Sequence, residues 1–170
     1  MGVFGEPTAQ ERRVWRVREL IRSLAVEWFG TREVREPISD ATTTRLVLAD
    51  PVEGLRAAVL VRRVAVGQER EYALAARGAG WSWAAIGSVL GFEGLDEPEV
   101  LAFEHTAERA GRSEARWESV SWRCTSCGAR VTDTGPYGSH PTDVEHGHGE
   151  GCARHCADIA AWEQRTGWDQ

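Results

Sequence analysis

Apolar residues recur at helical spacing near the N-terminus and predict an amphipathic helix over residues 10–29. The apolar positions are Val14, Val17, Leu20, Ile21, Leu24 and Trp28, with arginines between them. Gly30 is a suitable stop for this helix. Residues 31–40 have no period and contain a proline, so they predict a connection. The β-branched run from Thr42 to Leu48 fits either a short strand or another irregular stretch.

The segment Asp50-Pro51-Val52-Glu53 predicts the start of a second helix. The Asp50 carboxylate can accept hydrogen bonds from the free amides of the first turn, and proline suits the first helical position. Glu53 completes a capping box. The apolar pattern continues this helix to residue 77, and the Gly-Ala-Gly sequence at 78–80 ends it.

A short helix follows within residues 76–91, ARGAGWSWAAIGSVLG, with Ser82 as its N-cap and Gly91 as its closing residue. This stretch resembles the helix-turn-helix of bacterial regulators and of the region-four domain of sigma factors. The resemblance implies that the next helix, predicted over residues 96–110, would enter the major groove of DNA. A simpler interpretation is a small helical core in which the apolar side chains of the short helix only pack.

The charges of the chain place any contact with DNA in its N-terminal half. Residues 1–90 contain 13 Arg and 11 acidic residues, whereas residues 91–170 contain 7 Arg and 15 acidic residues. The helix at 96–110 is itself acidic and would be repelled by phosphate. We therefore expect it to contact a protein partner or an oligomer interface. The arginines predicted to contact DNA are Arg12, Arg13, Arg16, Arg62 and Arg63.

All four cysteines lie in two pairs in the C-terminal third, Cys124 with Cys127 and Cys152 with Cys156. A Cys-x2-Cys pair between two small strands is typical of a zinc knuckle. A helix predicted over residues 151–165 would carry the second pair on one face. His148 and Cys152 form an equally suitable pair, so spacing leaves His148 and Cys156 open as the fourth ligand.

The segment 118–165 resembles the C-terminal part of actinobacterial proteins in which a helix-turn-helix-like region precedes a zinc-finger-like segment. This resemblance implies Cys124, Cys127, His148 and Cys152 as the ligands, with Cys156 as a close competitor. One structural Zn²⁺ is predicted, because four good ligands leave no open position for catalysis. An iron–sulfur cluster on four thiolates is the less favoured cofactor, because histidines lie close to the cysteines.

These patterns predict a mainly α protein of 170 residues with two parts. Residues 1–112 form a helical region with a helix-turn-helix-like core at 51–110, and residues 113–170 form a small ββα-like zinc module. No apolar run is long enough to span a bilayer and no secretory signal is evident, which predicts a cytoplasmic protein. The predicted function is a non-enzymatic regulator acting at DNA or on the transcription machinery. The alternative is a protein-interaction adaptor that does not bind nucleic acid.

Overall fold

The structure is a computed structural model, and it describes residues 6–37, 44–107 and 119–167. The described chain is mainly helical, as predicted, with two small antiparallel sheets. The helices are α1 (Ala9–Phe29), α2 (Pro51–Gly78), α3 (Trp83–Leu90), α4 (Pro98–Ala107), α5 (Pro141–Val144) and α6 (Ala153–Thr166). The strands are β1 (Glu33–Pro37), β2 (Thr44–Leu48), β3 (Val120–Arg123), β4 (Arg130–Asp133) and β5 (Glu145–His146). No helix among these is both long and apolar enough to cross a membrane.

The chain divides into two compact units, Met1–Val66 and Gly67–Gln170, and the division falls within α2. The boundary predicted between residues 112 and 113 lies outside the described residues. Each unit contains one of the two small sheets.

In the first unit, α1 begins with a capping box. The Thr8 hydroxyl accepts from the Glu11 backbone N–H, and the Glu11 carboxylate accepts from the Thr8 backbone N–H at 2.7 Å. The hydrogen bond from the Thr8 backbone N–H, followed by that from the Thr8 hydroxyl, lowers the pKa of the Glu11 carboxyl. The unit has little core of its own, because Ala25 and Ala57 are its two fully buried residues in the described part of the chain.

The connection predicted over residues 31–40 is wrong in its central part, where β1 forms a hairpin with β2 and Glu33 faces Leu48. The strand is mostly exposed, so its sequence carries no apolar alternation. The capping box predicted for α2 forms only in part. Asp50 accepts from the Val52 N–H at 2.9 Å, but the Glu53 carboxylate instead holds Arg56.

The second unit has one continuous core to which helices and the C-terminal sheet both contribute. Trp83 and Ile86 of α3 and Phe103 of α4 pack in the same cluster as Val120, Trp122 and Val131 of the β3–β4 hairpin, together with Cys124 and Cys152. The rings of Trp83 and Phe103 meet edge to face at 5.4 Å. Residues of both predicted parts therefore share one core.

Helices α3 and α4 form a tightly packed pair. The Ser82 N-cap and the left-handed Gly91 (φ 88°) delimit α3, which confirms both predicted ends. A Cβ atom at Gly87 would lie 2.5 Å from the Pro98 carbonyl oxygen, so the two helices approach at that point. The helix predicted over 96–110 begins at Pro98, and its last three positions lie outside the described residues.

The C-terminal sheet has the order β3-β4-β5 and is antiparallel throughout. The two strands predicted around the first cysteine pair are confirmed as β3 and β4. The segment between β4 and α6 contains α5 and β5. The predicted helix at 151–165 is confirmed as α6.

Two glycines of α2 provide a matched pair for testing this packing. A Cβ atom at Gly78 would lie 2.4 Å from the Arg123 carbonyl oxygen, whereas nothing lies within 4 Å of one at Gly67. We expect Gly78→Ala to destabilise the protein by about 1–3 kcal/mol through overpacking. Gly67→Ala should instead stabilise it by up to about 1 kcal/mol through helix propensity. Urea unfolding of both variants checks this, and equal effects would contradict the contact between α2 and β3.

Candidate metal centre

Four potential metal ligands converge in the second unit: Cys124, Cys127, His148 and Cys152. Cys124 follows β3 and Cys127 lies in the turn before β4. His148 follows β5, and Cys152 is the N-cap residue of α6. Two chain segments that are distant in sequence, 124–127 and 148–152, are therefore brought together by the sheet and by the start of α6.

The distances among these side chains suit a tetrahedral ion. Their ligand atoms all lie within 4.8 Å of one another, and the Sγ atoms of Cys124 and Cys152 are 3.7 Å apart. Two zinc–sulfur bonds of about 2.3 Å at the tetrahedral angle would place their sulfurs about 3.8 Å apart. The Cys127 Sγ is 3.9 Å from the Nδ1 of His148. The four residues therefore lie close enough together to hold one metal ion.

The knuckle around Cys124 and Cys127 is held by backbone hydrogen bonds. The Gly128 N–H donates to the Cys124 carbonyl at 2.8 Å, and the Cys124 N–H donates to the Ala129 carbonyl at 2.9 Å. Gly128 has φ 71°, a left-handed conformation that glycine adopts without strain. Both the N–H and the hydroxyl of Thr125 donate to the Gly78 carbonyl at 3.0 Å. The end of α2 thus fixes the position of the knuckle.

The surroundings of two thiols favour the thiolate form that binds metal. The backbone N–H groups of Gly149 and Ala129 lower the pKa of Cys127 to about 7. Burial opposes ionisation of Cys152, but the His155 N–H and the Ser126 hydroxyl lower the pKa of this thiol. Burial raises the pKa of Cys124, which is fully buried. A divalent cation would supply the charge that ionises the third thiol.

Cys156 does not join this group. It lies one turn into α6 and is exposed, whereas Cys152 at the N-cap is 5% exposed. The Cys156 N–H donates to the Cys152 carbonyl, so Cys156 lies one helical turn beyond Cys152, and its thiol is not among the clustered ligand atoms. Of the two open candidates for the fourth ligand, the described geometry brings His148 to the other three.

His148 is oriented by a buried carboxylate. Its Nε2 atom lies 2.9 Å from the Glu145 carboxylate, which leaves Nδ1 directed at the thiols. Glu145 is 3% exposed and also receives Arg77 and Arg154. Burial works against ionisation of Glu145, but the hydrogen bond from Arg154 and the charge of Arg77 lower its pKa. A carboxylate on the second ring nitrogen is a common way to orient a metal-binding histidine.

Asp133 is the second buried acid next to the centre. Its Oδ2 accepts from the indole N–H of Trp83 at 3.0 Å, the indole N–H of Trp122 at 3.4 Å and the Arg77 Nε at 3.2 Å. Its Oδ1 accepts from the Gly135 N–H at 2.9 Å. Arg77 therefore bridges Asp133 and Glu145, and this network joins α2, α3 and the sheet to the metal ligands.

Glu145, His148 and His155 also lie close enough together to hold a cation. Arg154 donates to Glu145 at 2.8 Å, and Arg77 binds the same carboxylate. Two guanidinium groups at this carboxylate would repel an additional cation. The rings of His148 and His155 stack at 4.3 Å, so His155 packs against the ligand. We assign this group to the support of the first site.

Four residues of the site were not predicted from the sequence: Glu145, Asp133, Arg77 and Arg154. The one available signal was the position of Glu145 three residues before a predicted ligand, and this spacing alone is too common to be informative. Arg77 lies 56 residues before Asp133 and 68 residues before Glu145 in the sequence, so no local pattern indicates that it pairs with them.

The five arginines predicted to contact DNA all belong to the first unit and are all exposed. In the described part of the chain, Arg13, Arg16, Arg62 and Arg63 have no carboxylate within 4.0 Å, and the Arg12 guanidinium donates to the Pro7 carbonyl. By contrast, Arg45 and Arg56 are paired with Glu36 and Glu53.

The predicted acidic helix is less accessible than its composition suggests. All ten residues of α4 are buried or half-buried, including Glu99 and Glu104. The exposed acids of this region, Glu93, Asp96 and Glu97, precede the helix. Arg70 of α2 donates to the Thr106 carbonyl at 3.1 Å, so α2 covers part of α4.

Comparison of the chain with models of known protein families, with curated proteins and with solved structures finds no match. The resemblances to sigma-factor region four and to actinobacterial zinc-finger-like proteins therefore stay predictions.

Proposed function

We propose that this protein is a non-enzymatic regulator that acts at DNA or on the transcription machinery, with one structural zinc ion. The observation that carries the proposal is the set of exposed arginines on α1 and α2 that have no carboxylate partner among the described residues. The zinc would stabilise the second unit, and the first unit would contribute the contacts with phosphate.

Zinc is the metal that best suits the donor set. Three thiolates and one imidazole form a closed tetrahedral site of the kind that zinc occupies in structural roles. An iron–sulfur cluster on four thiolates would require Cys156, which is exposed and outside the group. The near absence of solvent around Cys124 and Cys152 also favours a structural role over a catalytic one.

The exposed arginines favour contacts with the phosphate backbone of DNA over contacts with base edges. A helix that reads the major groove must expose several polar side chains, and the half-buried α4 offers few. Arginines on exposed helix faces, by contrast, neutralise phosphates and release counterions, which gives affinity without sequence information. In this proposal α3 and α4 are a packed support, and α1 and α2 contact the backbone of DNA.

A protein-interaction adaptor is the second candidate, and one observation favours it. Among the described residues of the first unit, nine large apolar side chains are exposed, including Trp15 and Trp28 at 63% and 74%. Extended apolar exposure of this kind is typical of surfaces that bind other proteins. In this case the arginines would be a solvated face or would contact an acidic protein.

Binding to DNA can be tested with two matched double variants. We expect Arg13→Gln/Arg16→Gln to reduce affinity for a random-sequence duplex at low salt and to lower the slope of log K against log salt by about 2. Each substitution removes one phosphate contact. Arg45→Gln/Arg56→Gln removes the same charge from arginines that already have carboxylate partners, and should change the slope by less than about 1. Fluorescence anisotropy over a salt series measures both.

The same titration distinguishes the two candidate functions. Replacing Glu97, Glu99 and Glu104 by Gln should not weaken binding to DNA, since these acids can only repel phosphate. The regulator is supported by a lower salt slope for Arg13→Gln/Arg16→Gln alone, and enrichment of one motif from genomic fragments at physiological salt would show base contacts in addition to the proposed phosphate contacts. Equal slopes for both arginine variants, together with no enrichment, would reject it in favour of the adaptor.

A further inference from the structure

The first half of α1 extends without any covering from its own unit. Every residue from 9 to 20 is exposed, including Val14, Val17 and Leu20 at 45%, 50% and 51%. An uncovered helical segment of this length is only marginally stable in water, even with good caps. The strong capping box at Thr8 fixes where the helix starts, but it does not cover the apolar face.

The apolar residues of α1 follow the spacing of a coiled-coil seam. Val14, Val17, Ile21, Leu24 and Trp28 are separated alternately by three and four residues. This spacing corresponds to positions a and d of a heptad repeat, whose side chains pack into a second helix. Ile21 and Leu24 are already half-buried within the unit, so Val14 and Val17 are the seam positions that remain available in the first half of α1.

We propose that the exposed half of α1 pairs with α1 of a second copy of this chain in an antiparallel two-helix contact. The contact is centred between residues 14 and 17, so that Val14 of each copy faces Val17 of the other. This inference does not depend on the proposed function and holds whether or not the protein binds DNA.

The flanking charges select the antiparallel direction. With Val14 at position a and Val17 at position d, Glu11 and Arg18 both occupy e positions. In the antiparallel contact, Arg18 of one copy lies beside Glu11 of the other. Symmetry makes this pair occur twice. A parallel pair would instead place Arg13 at position g beside Arg18 at position e of the second copy. Like charges there oppose association, whereas the antiparallel pairs favour it.

The antiparallel direction also leaves room for the folded parts of the first unit. Only the exposed residues up to about position 20 need to overlap, and the covered half of α1 in each copy then lies at opposite ends of the contact. Arg12 and Arg16 occupy the outer positions f and c and stay exposed. The contact is short, so we expect a dissociation constant on the order of micromolar.

Sedimentation equilibrium of the full zinc-loaded chain tests the association. We expect a dimer whose dissociation constant rises at least tenfold in Val14→Glu/Val17→Glu, with any loss of helicity by circular dichroism no larger than the uncovered first half of α1 accounts for. The matched control is Val52→Glu/Val64→Glu, which makes the same change at two exposed valines of α2 in the same unit. The control should dimerise like the unaltered protein. A protein that stays monomeric up to about millimolar concentration, or equal weakening by both variants, would overturn the proposal.

Disulfide trapping tests the direction. In a Cys156→Ser background, which removes the exposed thiol, Val14→Cys and Val17→Cys chains are oxidised alone and as a mixture. The antiparallel contact predicts cross-linking mainly between position 14 of one chain and position 17 of the other in the mixture. Faster cross-linking of either variant with itself would indicate a parallel pair and overturn the proposed arrangement.

Discussion

A Cys152→Ala variant is expected to purify without bound zinc and with the second unit unfolded. Cys152 is buried in the same core as Trp83, Trp122 and Val131, and it is one of the four ligands. Structural zinc contributes about 10–16 kcal/mol of binding free energy, which is comparable to or larger than the total stability of a small domain, about 5–15 kcal/mol. Metal analysis should fall from about one ion per chain to none. Near-ultraviolet circular dichroism of the buried tryptophans should be lost.

Cys156→Ala is the matched control, because it removes the other thiol of the same pair. Cys156 is exposed and outside the ligand group, so we expect normal zinc content and a change in stability within about 0.5 kcal/mol. If Cys156→Ala loses zinc while His148→Ala retains it, the ligands are four cysteines and the described geometry of α6 is wrong. Normal zinc and normal melting in Cys152→Ala would refute the metal centre itself.

The local features of the fold follow from short sequence patterns. The Ser82 cap and the left-handed Gly91 delimit α3 because each acts through atoms within a few residues of the helix end. The Cys-x2-Cys knuckle is similarly local, since its hydrogen bonds join Cys124, Gly128 and Ala129. Such features can be predicted from one sequence because their partners are included in the same pattern.

The fourth metal ligand could not be predicted in this way. Spacing allowed both His148 and Cys156, and the choice depends on where α6 begins relative to the sheet. With Cys152 at the N-cap, the helix carries Cys156 towards solvent, while β5 and Glu145 hold His148 against the thiols. The strand β1 was missed for a related reason, because its pairing with β2 and not its own composition makes it a strand.

The accessibility of α4 also could not be predicted from the sequence. Its carboxylates suggested a helix that contacts a partner. Instead, Ala102 and Phe103 are buried in the core, so α4 packs against α3. Arg70 covers the end of α4. Composition describes which side chains are available. The packing of a short helix decides which of them reach solvent.

The buried acid Asp133 is the best test of the network that connects the helices to the metal centre. Four donors converge on its carboxylate, two of them the indole N–H groups of Trp83 and Trp122. Asp133 is 1% exposed, so water cannot replace these partners. The carboxylate also balances part of the charge of Arg77, whose side chain is 13% exposed.

Asp133→Asn should therefore destabilise the second unit by about 3–5 kcal/mol, the usual cost of removing one member of a buried ion pair. The amide keeps the size of the side chain but loses its charge and directs an N–H₂ group at donors. We expect the melting midpoint to fall by more than about 12 °C, measured by calorimetry on the zinc-loaded chain. Asp143→Asn makes the same change at an exposed acid of α5 and should shift the melting midpoint by less than about 4 °C.

Equal shifts in the two variants would mean that the convergence of Arg77, Trp83 and Trp122 on Asp133 does not contribute to stability. A large shift for Asp133→Asn alone, with zinc still bound, would show that the network stabilises the core independently of the ligands.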